Sequence, residues 1–112
     1  MTNLKIDVLG VEYSIEFSNE QADSMLKDCD GYCDESVKKI VVNDYSTGCE
    51  LKNPEAIVKL NIRHEIIHAF FFESGLGADW EHPKFGQEET VVDWIARQFP
   101  KLLKAFEAAD AL

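Results

Sequence analysis

Basic residues are scarce in this chain. Its 112 residues hold 11 Lys and Arg against 21 Asp and Glu, a formal charge of -10. Phosphates would be repelled, and the few cations are scattered rather than gathered in a patch, which argues against nucleic-acid binding. The acidic surface serves solubility first; attraction of a basic partner is its other use. Cysteine is also sparse. Cys29, Cys33 and Cys49 are odd in number and lack Cys-x-x-Cys spacing, which argues against a disulfide framework and against a closed thiolate zinc site. Reduced thiols in a cytoplasmic chain fit that count. No window approaches the ~18 apolar residues of a membrane span. Met1-Thr2-Asn3 leads directly into alternating strand-like sequence, so no signal peptide is expected. Repeats and low-complexity tracts are missing as well.

What is present suits one domain. A chain of 112 residues, 46% of them hydrophobic, can bury one modest core and not two. Residues 4–9 and 11–17 read as a hairpin turning at Leu9-Gly10. Val11, Tyr13, Ile15 and Phe17 point to the buried face. Asn19 is expected to cap a short helix over residues 20–28, packed through Ala22, Met25 and Leu26. A second strand pair starts at Gly31-Tyr32-Cys33, turns through Asp34-Glu35-Ser36 and returns over residues 38–43. That returning strand is expected at the sheet edge nearest a cleft, where it could pair with an extended peptide.

A strong helix start follows at Asn53-Pro54-Glu55: a capping side chain, proline at the first helical position and an acid in the first turn. The helix is expected to run to Ser74, with Gly75 as its C-terminal cap. Ile57, Leu60, Ile67 and Ala69 to Phe72 leave few positions for water, which predicts a central, buried helix. Residues 76–86 read as a loop carrying Trp80 and His82. A helix over about residues 87–98 follows, and Phe99-Pro100 is expected to kink or restart it. Leu102, Leu103, Phe106 and Ala109 give the last helix its apolar stripe.

Inside the long helix lies His64-Glu65-Ile66-Ile67-His68. On a helix the two histidines fall one turn apart on one face, where both imidazoles can hold one zinc ion. Glu65 then sits beside the metal, placed to act as a general base. Composition alone would produce this pattern roughly 0.01 times in such a chain, and the helical setting that the motif requires is also present. The plainer alternative is a helix whose histidines merely pack or cap.

A catalytic zinc needs a third protein ligand and one open position. Downstream candidates are His82, Glu88 and Glu89. Asp93 lies one helical turn after Glu89 on the same face, within reach of a ligand histidine's second nitrogen, and such a carboxylate fixes the imidazole tautomer. Glu88 shares a stripe with Val91, Val92 and Ile95. The metzincin pattern does not apply, because Phe71 and Ser74 stand where it requires Gly and His.

His64-Glu65-x-x-His68 followed by Glu89-x-x-x-Asp93 resembles the gluzincin metallopeptidases, in which a glutamate from a separate helix completes the site. The run from Glu89 to Ala96 is similar to the E-x-x-A-x-x-F-A run of the ImmA/IrrE-type metallopeptidases, with Val92 in place of the small residue. Gly31 to Asp34 and Lys39 to Val42 also resemble small phage and prophage members of that group. In the thermolysin-like gluzincins, by contrast, the third ligand falls at the distance of Glu88. The resemblance implies an α+β zincin-like domain: a small twisted β-sheet packed on an active-site helix, then a glutamate helix and a C-terminal helix.

It implies further that Zn2+ is held by His64, His68 and Glu89, with Asp93 behind a ligand and Glu65 as the catalytic base. The substrate would be a protein or peptide, with no nucleic acid or membrane involved and a phage or prophage origin. Gluzincins usually add a Tyr or His donor to the oxyanion; Tyr32, Tyr45 and His82 are the candidates. The rival function is a non-catalytic, acidic zinc-binding interaction module. A latent protease whose residues after Phe99 cover the cleft stands between the two.

Overall fold

Leu9 and Gly10 both take positive φ, 52° and 87°. This is the backbone of a two-residue hairpin turn whose twist matches the flanking strands. Leucine there costs roughly 1 kcal/mol; the Gly10 N–H recovers a bond to Asp7 Oδ2 at 3.2 Å. The turn joins β1 (Leu4–Val8) to β2 (Val11–Ser18). The computed structural model describes residues 2–76 and 88–112. Within them follow β3 (Gly31–Asp34), β4 (Lys39–Asn43), α1 (Pro54–Glu73) and α2 (Glu89–Ala108).

The four strands form one mixed sheet in the order β1-β2-β4-β3. β2 and β4 run parallel, while β1 pairs with β2, and β3 with β4, antiparallel. The expected edge position of residues 38–43 is therefore corrected. β4 is internal, its Ile40, Val41 and Val42 are buried, and β3 forms the edge. Strand alternation fixes which side chains face the core but not the neighbour on each side.

Before β3 the chain also departs from expectation. Asn19 Oδ1 accepts from the N–H groups of Gln21 and Ala22, an Asx turn. The helical element is only a 3-10 turn at Ser24–Lys27, capped by Asp23. Leu26 alone is buried there, while Met25 is exposed.

The core is formed by Val8, Tyr13, Ile15, Ile40 and Val42 from the sheet with Val58 and Ala69 from α1. The start of α1 is as its sequence requires: Asn53 Oδ1 accepts from Ala56 N–H at 3.2 Å, with Pro54 at the first position. Its end is tied to the sheet. Tyr13, fully buried, donates its hydroxyl to Glu73 Oε1 at 2.6 Å, and Lys38 Nζ reaches the same oxygen at 2.6 Å. The helix itself is less enclosed than its composition suggests. Phe70 is 39% exposed, bordering an open apolar groove that it shares with Ile95 and Phe99 of α2.

Lys38, and then Tyr13, hold the Glu73 carboxyl below its ordinary pKa. A carboxyl lowered in the folded state stabilises above its unfolded value, about 4.3, and loses that contribution as pH falls through the folded value. Glu73→Gln should therefore melt below wild type near pH 7. The gap should narrow by about pH 3 in thermal scans; a gap independent of pH would contradict the assignment.

α2 is one continuous helix, so the expected separate glutamate and C-terminal helices are a single element that passes through Pro100. A proline inside a helix leaves the carbonyl four residues earlier without its donor. Here that carbonyl belongs to Ala96, and Arg63 Nε of α1 donates to it at 2.7 Å. The substitute donor comes from the other helix, which is why the local sequence reads as a break.

Candidate metal centre

The register of the two helices builds the site. Arg63 on Ala96, together with the burial of Val92 and Ala96 against α1, sets the first turn of α2 beside the middle of α1. There Glu89 reaches both motif histidines: Oε2 lies 2.8 Å from His64 Nε2, and Oε1 lies 2.9 Å from His68 Nε2. The imidazole centroids are 5.0 Å apart with planes at 63°. His68 also stacks on Phe72 with rings 17° from parallel. Among the described residues, His64, His68 and Glu89 form a group that could hold a metal ion, with donor atoms within 4.8 Å of one another. Two imidazoles and one carboxylate match the donor set of open, three-ligand sites.

Glu88 does something else. It is the N-cap of α2, and its Oε1 accepts from Thr90 N–H at 3.0 Å. A one-residue difference at a helix start separates a capping side chain from one that points across to α1. Asp93 lies on the face expected of it, with Oδ1 3.7 Å from His64 Nδ1, an ion-pair distance rather than a hydrogen bond. Its other oxygen accepts from Arg97 Nε at 2.7 Å. Arg97 carries no motif signature; its only sequence signal is the i,i+4 spacing from Asp93.

Glu65 is 6% exposed and faces the cleft between α1 and the sheet edge. Burial, and next the negative charge of Glu89, raise its pKa to about 7. A carboxyl at that value is poised to take and return protons near neutrality. Gly31 makes this closeness possible. A Cβ there would stand 3.0 Å from the Val41 carbonyl oxygen and 3.4 Å from Glu65 Cγ, so a side chain would crowd the β4 backbone and fill the space next to Glu65. Sequence reasoning took Gly31 only as a strand start; a strand opening on glycine was the available signal for a close approach.

The cleft has two arms on either side of Glu65. One, of 280 Å³, runs past Cys29, Gly31, Asn61 and His64 towards Asp93 and Arg97. The other, of 240 Å³, runs past Gly31, Tyr32, Cys33 and His68 to Phe72. β3 therefore borders the cleft with the edge that β4 does not use. Tyr32 lines the second arm, and its hydroxyl donates to Asp23. Burial and that bond raise its pKa to about 12. Tyr45 donates to Asp30 Oδ1 at 2.7 Å. Both hydroxyls are already engaged with carboxylates, and His82 lies outside the described residues. Burial, followed by the Glu65 charge, pushes the Cys33 thiol up to about 12, which keeps it protonated and unreactive.

No described helix is long and apolar enough to cross a membrane. Compared with known protein families, characterised proteins and solved structures, the chain matches none.

Proposed function

We propose that the chain is a zinc-dependent metallopeptidase of the gluzincin type, in a minimal zincin-like domain similar to the ImmA/IrrE-type enzymes. The observation that carries this is the convergence of His64 Nε2 and His68 Nε2 on one carboxylate, at 2.8 and 2.9 Å, with the buried Glu65 on the next residue of the motif. Zinc suits this donor set, since two imidazoles and a carboxylate with one position left open make a catalytic rather than a structural arrangement. When bound, the ion supplies Lewis acidity, polarising a peptide carbonyl and acidifying water in the open position.

The remaining work falls to the chain's own residues. Glu65 accepts the proton of the attacking water and passes it to the leaving amine nitrogen. His64, His68 and Glu89 hold the metal, and Asp93, steadied by Arg97, faces the second nitrogen of His64. The edge of β3 beside the cleft, which no described strand pairs with, supports an extended peptide as substrate, because backbone groups there can pair with an added strand.

The rival reading as a non-catalytic zinc-binding module leaves Glu65 without a role. A structural site is closed by four protein ligands and has no use for a buried base at its side. Latency through residues beyond Phe99 also lacks support. α2 continues unbroken to Ala108, and the described residues that line the two arms of the cleft end at Arg97.

Elemental analysis of purified wild type and His68→Ala tests the proposal first. The expected result is about one zinc per wild-type chain and a near-complete loss in the variant, alongside zinc-dependent cleavage of an unfolded protein by wild type only. A folded wild type that neither carries zinc nor takes it up would end the metallopeptidase reading.

A further inference from the structure

Beyond Ala96, α2 carries an apolar stripe in which Phe99 borders a groove shared with α1 while Leu103 and Phe106 stand exposed. Val92 and Ala96 are fully buried, whereas Phe99 is 47% exposed, Leu103 36% and Phe106 44%. The expectation that Leu103 and Phe106 lie on the packed side of a C-terminal helix is thus corrected: they and Phe99 are exposed. With Leu102 they follow i, i+3, i+4, i+7 spacing, which places all four on one helix face.

We propose that this stripe is a two-fold interface at which α2 helices from two copies of the chain pair antiparallel. The order of the residues carries the inference. Residues 99–106 read Phe-x-x-Leu-Leu-x-x-Phe, the same pattern in either direction. A two-fold axis between Leu102 and Leu103 sets Phe99 of one copy against Phe106 of the other, and Leu102 against Leu103. An isologous contact requires this self-complementarity, and a docking face for an unrelated partner does not. The stripe continues into a 420 Å³ apolar groove between the helices, bordered by Ile66, Ile67, Phe70 and Ile95, which lengthens the contact.

Charge agrees. The chain carries -10 overall, yet residues 97–108 hold Arg97, Lys101 and Lys104 against Glu107 alone. Lys101 and Lys104 project from the opposite face of the helix; Gln98 and Ala105 flank one side of the stripe and Pro100 and Glu107 the other, and the antiparallel register sets Glu107 against Gln98 of the other copy rather than against a second acid. The axis lies about 20 Å along the helix from Glu89, so pairing leaves the metal centre open.

Sedimentation velocity of the full chain tests this across a concentration series reaching about 100 µM, with Leu103→Glu, Phe106→Glu and Lys104→Glu as variants. Wild type and Lys104→Glu should dimerise in the micromolar range. The two stripe variants should weaken association by roughly 100-fold or more, because each buries an unpaired charge twice over. Their circular dichroism should match wild type, since both replaced side chains are exposed in the monomer. Dimerisation should tighten in about 0.5 M salt, which screens the net charge and leaves the apolar contact intact. A wild type that stays monomeric at about 100 µM overturns the proposal. So does a dimer that survives in both stripe variants, or one that Lys104→Glu also abolishes. None of these outcomes depends on zinc or on hydrolysis.

Discussion

Glu65→Gln is expected to keep its zinc and its fold while peptide hydrolysis falls by about 10²–10⁴-fold, the usual contribution of a general base. The substitution preserves the shape of a side chain that is 6% exposed, so packing against Gly31 and β3 is undisturbed. It removes only the ability to accept a proton. Stability should move the opposite way from activity. The Glu65 pKa is raised to about 7 by burial and by Glu89. An acid whose folded pKa exceeds its unfolded value opposes folding wherever it is ionised, here above about pH 4.3 and increasingly through pH 7. The metal-free variant should therefore melt at or above the wild-type temperature near pH 8. Hydrolysis in the variant within tenfold of wild type, after repurification, would remove Glu65 from the mechanism.

The other large effect separates two neighbouring acids. Glu89→Ala should weaken zinc binding by more than the 10–100-fold typical of losing an outer partner, since it deletes the carboxylate on which both Nε2 atoms converge. Glu88→Ala should leave zinc affinity within a few-fold of wild type and cost about 1 kcal/mol of stability through the lost cap on Thr90 N–H. Titration against a competing chelator reads the first effect, and urea denaturation reads the second. Equal loss of affinity in both variants would leave the third ligand unassigned.

These two residues also show where sequence alone stops. The choice between Glu88 and Glu89 turns on which of them begins α2, and a helix boundary is not fixed by composition to within one residue. Local signals were legible where the physics is local. Leu9-Gly10 turns the hairpin, Asn53-Pro54 starts α1, and the four-residue step between His64 and His68 places both on one face. Non-local facts were not legible. Nothing in residues 38–43 announces that β2 pairs with them in parallel, although this is what moves β4 inward and leaves β3 along the cleft. The apolar run of α1 predicted full enclosure. It is instead shared among the sheet, α2 and the open groove, because hydrophobicity states how much surface seeks cover and not what covers it.

The contact between Arg63 and the Ala96 carbonyl makes two positions on different helices one unit of inheritance. With proline at position 100, a non-donor such as leucine at 63 strands a carbonyl between packed helices at a cost of about 1–3 kcal/mol. With any other residue at 100, the helix can supply its own N–H and position 63 is released. A lineage of this protein can thus replace Arg63 at little cost only after Pro100 has gone. Descendants holding proline at 100 without a donor at 63 should be rarer than independent drift at the two sites would produce.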